Sequence, residues 1–163
     1  MKKIHLLLLL LSFCSICYSQ QITKKELKQI IKKSIKENNR RVTSPEFEIV
    51  TNNKDSIFFK AEKIEIFTTA YAQRENNICR TIELKFLKKN RVNFMDCQVC
   101  TEPTSCYVTK DKNIYNYKIE KRNNNLYINF FNKYNEMKFK FISFIKKTTN
   151  NTKYYKIEMI RVK

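Results

Sequence analysis

Four cysteines, Cys79, Cys97, Cys100 and Cys106, are the most reactive side chains in the body of this 163-residue chain. Three chemistries suit them. Four thiolates can hold a zinc ion, a Cys97-Gln98-Val99-Cys100 motif can exchange thiol for disulfide, and an even number of cysteines in an oxidising compartment forms structural bridges. A thioredoxin-type motif opens a helix, whereas Thr101-Glu102-Pro103-Thr104-Ser105 has the composition of a loop.

The compartment decides among them. Residues 1–19 carry Lys2 and Lys3, then an apolar run over residues 4–16, then the small Ser19 before Gln20, which is the pattern of a cleavable secretory signal. The run is shorter than the ~20 residues of a spanning helix. Phe13 and Ile16 stand before Cys14 and Cys17, where a lipoprotein signal places small residues. The expectation is an exported protein, periplasmic or extracellular, that starts at Gln20 and is stapled by two disulfides.

Cleavage removes His5, the single histidine. A chain without imidazole has no Ser-His-Asp or Cys-His mechanism and no histidine-ligated metal. It also has no glycine, so it lacks every phosphate loop and dinucleotide fingerprint, which need residues without a Cβ beside the phosphate. No cofactor or metal is expected. Hydrolysis would fall to carboxylates: Glu46, Glu48, Glu62, Glu65, Asp96 and Glu102 occupy the charge-balanced middle of the chain, and a carboxylate pair can cleave glycosides unaided. Spacing alone brings no two of them together.

The elements that must position these groups begin with a helix over about residues 23–37. Thr23-Lys24-Lys25-Glu26 is a capping box, Ile22 and Leu27 sit at the hydrophobic-staple positions, and Leu27, Ile30, Ile31 and Ile35 form one apolar stripe with Ser34 alongside. From about residue 45 to 162 the period changes to two. Asparagine, the residue most tolerant of positive φ after glycine, punctuates this region at Asn52-Asn53, Asn76-Asn77, Asn90, Asn123 to Asn125 and Asn150-Asn151. Residues 46–51 and 56–61 read as a first strand pair, the second continuing through Ile64 and Ile66 after a bulge. Residues 79–87 and 92–100 form a hairpin in which Leu87 meets Val92 and Cys79 meets Cys100, leaving Cys97 for Cys106. That register also sets Glu83 against Asp96. Tyr115, Tyr117 and Ile119, then Leu126, Ile128 and Phe130, then Met137, Phe139 and Phe141 share an apolar face over three strands; Tyr155, Ile157, Ile160 and Val162 supply the last strand, with a bulge near Met159.

The fold class is α+β, mostly antiparallel β: one domain over residues 20–163, with an N-terminal helix and a meander of about seven or eight strands forming a small barrel or a strongly curved sheet. The net charge of +18 is concentrated at the ends, since residues 44–106 balance while residues 20–43 and 107–163 are strongly basic. On the outside of the last sheet, Lys118 lies beside Asn129 and Lys138, and Glu120 beside Tyr127 and Lys140. Lysines interleaved with a ring suit an anionic partner. The leading expectation is a non-catalytic binding protein that takes an apolar small molecule inside the curled sheet, or holds an anionic surface or acidic protein on Lys118, Tyr127, Lys138 and Lys140; nucleic acid is not expected. The alternatives are an envelope interaction factor of inhibitor or immunity type with an acidic partner, and a carboxylate-dependent hydrolase.

Overall fold

The computed structural model describes residues 21–39, 49–52, 57–68, 79–98, 105–107, 112–149 and 152–163. Helix α1 (Lys24–Asn38) starts where Thr23 and Glu26 satisfy each other's free N–H groups: the Glu26 N–H donates to Thr23 Oγ1 at 3.1 Å, and the Thr23 N–H donates to Glu26 Oε2 at 2.9 Å. Then follow β1 (Val50–Asn52), a one-turn helix α2 (Ile57–Lys60), β2 (Lys63–Phe67), β3 (Arg80–Leu87), β4 (Arg91–Gln98), β5 (Ser105–Tyr107), β6 (Ile114–Arg122), β7 (Asn125–Phe131), β8 (Glu136–Thr149) and β9 (Thr152–Val162).

The sheet closes on itself. Going round, β1, β2, β9, β8, β7, β6, β4 and β3 are bonded in turn, all antiparallel, and β3 returns to β1; β5 extends the wall beside the end of β4. Closure leaves these eight strands no unpaired edge. The order is not that of a simple meander, because the β1–β2 ribbon is reversed: β1 joins β3, and β2 joins β9. Apolar matching accounts for the choice, since Ile64 and Ile66 of β2 then meet Met159 and Ile157 of β9.

Three local expectations are corrected. Residues 57–60 are helical rather than extended, and this turn drives Phe58 into the barrel with no exposure at all. The β3–β4 hairpin turns through three residues, with Lys89 and Asn90 both at positive φ, so Leu87 meets Arg91 and the ladder is displaced by one. Glu83 now faces Met95 instead of Asp96, and Asp96 is free to accept two hydrogen bonds from Arg80, at 2.9 and 2.7 Å. The bulge of the last hairpin lies in β8 between Phe141 and Ser143, so β9 turns Ile157 and Met159 inward rather than Ile160.

Cys97 is disulfide-bonded to Cys106 directly across the β4–β5 pair, Cα atoms 4.0 Å apart, which ties β5 to the wall. Cys79 is also disulfide-bonded. Its expected partner, Cys100, lies outside the described residues, as do Glu46, Glu48 and Glu102.

Both ends of the barrel are stoppered. Leu27, Ile30 and Ile31 of α1 cover one end, where the Asn38 side chain donates to the Phe86 carbonyl at 3.1 Å. At the other, Phe58 packs against Phe94 and Phe139 at 5.4 and 6.3 Å between ring centroids. Arg161 fixes this stopper: its guanidinium stands over the Phe139 ring at 4.8 Å and donates to the carbonyls of Phe58 and Ala61 at 3.0 and 3.2 Å. A fully enclosed phenyl group is expensive to remove. Phe58→Ala is expected to lower the unfolding free energy by about 3–5 kcal/mol in urea titration; a loss below about 1 kcal/mol would mean that the ring is not part of the packed interior.

Candidate functional site

The outer wall of β6, β7 and β8 brings the basic face together. Lys118 is opposite Asn129, which is opposite Lys138; one row away Glu120, Tyr127 and Lys140 align in the same manner. The two-residue turn at Asn123-Asn124, both at positive φ, sets the first ladder, and a turn held by Asn132 sets the second: its Oδ1 accepts from the N–H groups of Tyr134 and Asn135 at 2.8 and 2.9 Å.

The four cationic-face residues are not equivalent. Glu120 takes an ion pair from Lys118 at 2.9 Å and another from Arg122 at 2.7 Å. The hydrogen bond from Lys118 is the main reason its carboxyl is held below the usual range; desolvation opposes this, and the charges of Arg122, Lys118 and Lys138 reinforce it. Lys118 is thus largely neutralised in place. Lys138 lies 5.5 Å from the centre of the Tyr127 ring, and neither it nor Lys140 makes an ion pair among the described residues. Lys138 and Lys140, beside the Tyr127 ring, are therefore the part of this face whose positive charge is available.

Among the described residues the barrel interior offers no comparable site. The residual space between α1 and the wall is about 20 Å³, lined by Leu27, Ile30, Phe86, Phe141 and Met159 among others. That is room for about one water, against the several hundred Å³ of a small-molecule pocket. A second concavity was not foreseen. Between α1 and the β8–β9 hairpin runs a shallow groove of about 210 Å³ in which Lys146 and Lys33 flank the stacked rings of Phe144 and Tyr155, 5.1 Å apart. The signal lay in the alternation beyond residue 142, which the bulge in β8 put out of step.

The carboxylates do not assemble a hydrolytic cleft. Asp96 is held by Arg80 and Glu62 is exposed. Burial pushes the Glu83 carboxyl up against the opposing charge of Lys85, but it stands alone on its wall. One pair does converge, through a residue the spacing had not singled out: Glu65 and Glu158 are directly opposite each other on β2 and β9. They share the Lys156 ammonium, at 2.7 Å from Glu65 and 3.5 Å from Glu158, and Lys63 reaches Glu158 at 3.2 Å. Burial works to raise the Glu158 carboxyl, yet the Lys63 ammonium beside it brings it below the usual range; the hydrogen bond to Glu65 is the chief reason Lys156 is raised. This is a neutralised network on an outer wall. No group of three or more metal-binding side chains occurs among the described residues.

The sign of the pH effect follows. A lowered carboxyl contributes stability above its unfolded pKa and loses it as the pH falls through the folded value, and a raised lysine loses its contribution as the pH rises through the folded value. The network is at full strength between these limits. Lys156→Met, which leaves Glu65 facing Glu158 with Lys63 alone beside the pair, is expected to cost about 0.5–1 kcal/mol at neutral pH after allowance for solvent screening. The deficit should shrink toward pH ~3 as the carboxylates protonate. Urea midpoints at the two pH values check this, and a deficit that grows in acid contradicts it.

No family model, curated protein or solved structure matches this chain.

Proposed function

We infer that this is an exported, non-catalytic binding protein, stapled by disulfides, that holds an anionic partner on the outside of its barrel. The observation that carries the reading is the packed interior: among the described residues the space between helix and wall is about 20 Å³, too small for an apolar ligand unless the core is displaced. Binding then belongs to the exterior. There, a formal charge of +16 from Gln20 onward, the +18 of the whole chain less Lys2 and Lys3, draws anions from a distance, and Lys138, Lys140 and Tyr127 give them a place to rest. The lack of any histidine beyond His5, and the bridging by a lysine of the carboxylate pair that converges among the described residues, support a gripping rather than a reacting role.

Charge reversal tests it. On immobilised dextran sulfate the full chain is expected to be retained at low salt and released as salt rises, since exposed charges are screened beyond about 10 Å at ~0.1 M. The double variant Lys138→Glu, Lys140→Glu should bind at least ~10-fold more weakly, because replacing two attractive contacts by two repulsive ones costs more than 1.4 kcal/mol. Retention that ignores salt, or a double variant that binds as the parent does, overturns the reading.

A further inference from the structure

Among the described residues, large apolar side chains that are exposed gather at one end. Ile57, Phe59, Tyr107, Ile114, Phe131 and Tyr134 are each at least a third exposed, and all lie at the barrel rim opposite α1: on α2, on β5, at the start of β6, at the end of β7 and in the β7–β8 turn. Only one other large apolar side chain among the described residues, Ile145, is exposed to this degree, and it belongs to the helix-capped end. Scattered exposure needs no explanation, but collection on one rim does.

The rim is built to present these groups. Asn116 is opposite Phe131, so Ile114, two residues back on β6, projects from the same side of the wall as Phe131. The Asn132 side chain donates to the carbonyls of Lys112 and Ile114, both at 3.2 Å, while its oxygen holds the turn that carries Tyr134. Tyr134 is thereby fixed at a tip, 56% exposed, with the Lys133 ammonium 4.7 Å from its ring. Among the described residues Lys60, Lys112, Lys133 and Lys163 stand exposed around the same end, and the exposed carboxylates there are Glu62 and Glu136, the latter accepting a hydrogen bond from Asn129.

We propose that this rim is a bilayer-docking surface: Tyr134, Phe131, Ile114 and Phe59 enter the interface of a membrane rich in anionic lipid while the surrounding lysines meet its headgroups. Rings and aliphatic groups on loop tips, with cationic side chains between them, match an interface that is apolar a few ångströms down and negative at its surface. A second copy of the chain fits less well, because an isologous contact would bring two lysine-bearing rims face to face. The helix-capped end carries more lysines but only Ile145 as an apolar anchor, so it attracts by charge without inserting. The inference does not depend on Lys138 and Lys140, and it stands if dextran sulfate is not retained by them.

The chain has no tryptophan, so a single introduced indole reports its own surroundings. Tyr134→Trp and, as the reporter at the opposite end, Ile145→Trp are titrated with vesicles of phosphatidylcholine containing about one-third phosphatidylglycerol. The expected result is a blue shift of Tyr134→Trp emission with no shift of Ile145→Trp, none with pure phosphatidylcholine and none with soluble dextran sulfate. Adding Phe131→Ser to Tyr134→Trp should raise the lipid needed for half the shift about tenfold. A shift at Ile145→Trp alone, no shift at either position, a shift of Tyr134→Trp with dextran sulfate, or one that follows protein concentration without lipid each overturns the proposal.

Discussion

The constraint on which the rest depends is that eight short strands closed into a barrel enclose only enough space for their own side chains. Phe94, Phe130, Phe139, Met137 and Ile128 already occupy the middle, each at most 2% exposed. What remains are two mouths, and each needs an apolar stopper. Helix α1 supplies Leu27, Ile30 and Ile31 to one, and α2 supplies Phe58 to the other, so a single continuous cluster runs from the helix through the barrel to the far rim. Arg161 shows how tightly the second stopper is specified. Its guanidinium carries the desolvation of a partly buried charge, which pushes its pKa down, to hold two carbonyls of a one-turn helix that could not persist alone.

Filling the barrel moves every functional question to its outside, where alternation along the strands sorts residues by chemistry. Each inward apolar residue fixes its neighbours as outward ones, so Ile128 and Phe130 make Tyr127 and Asn129 face solvent, and the partners of these two, Lys140 and Lys138, follow from the ladder alone. A rigid wall holds its charges at strand spacing, with no loop to order on binding. That suits recognition of a repeated charge better than of one particular molecule.

How far this was legible in the chain depends on which residues set the register. Across β6, β7 and β8 the Asn123-Asn124 turn and the strict alternation from Tyr115 to Phe141 leave one ladder that turns Tyr115, Phe130, Phe139 and Phe141 inward, and the register read from the sequence is the register observed. The β3–β4 hairpin differs because a lysine, Lys89, takes up positive φ beside Asn90, a conformation for which asparagine rather than lysine is the signal. One added loop residue shifts every partner. The segment around Phe58 was read as a strand because Ile57 to Ala61 mixes apolar and polar residues in both periods, and only the empty barrel mouth, a tertiary feature, selects the helical turn. The Glu65–Glu158 pair was invisible for the same reason: it exists because β2 crosses to β9 instead of pairing with β3.

The up-and-down run of β6 to β9 also sets where the charges collect. The basic N-terminal segment becomes α1, and the basic C-terminal segment becomes β6 to β9, whose turns at Asn123-Asn124 and between β8 and β9 point to the end that α1 covers. Lys121, Arg122, Lys146, Lys147 and Lys153 therefore join the helix lysines at one pole, although the chain separates them by about a hundred residues. The charge-balanced middle, with the Cys97–Cys106 bridge and α2, is left to build much of the opposite rim, where repulsion between neighbouring lysines is weakest and apolar side chains can be exposed together. The two poles therefore contribute different things: the helix-capped end supplies most of the long-range attraction, which acts at a distance and fixes no contact, while the opposite rim, with fewer charges to desolvate, supplies the apolar groups that decide which surface is entered.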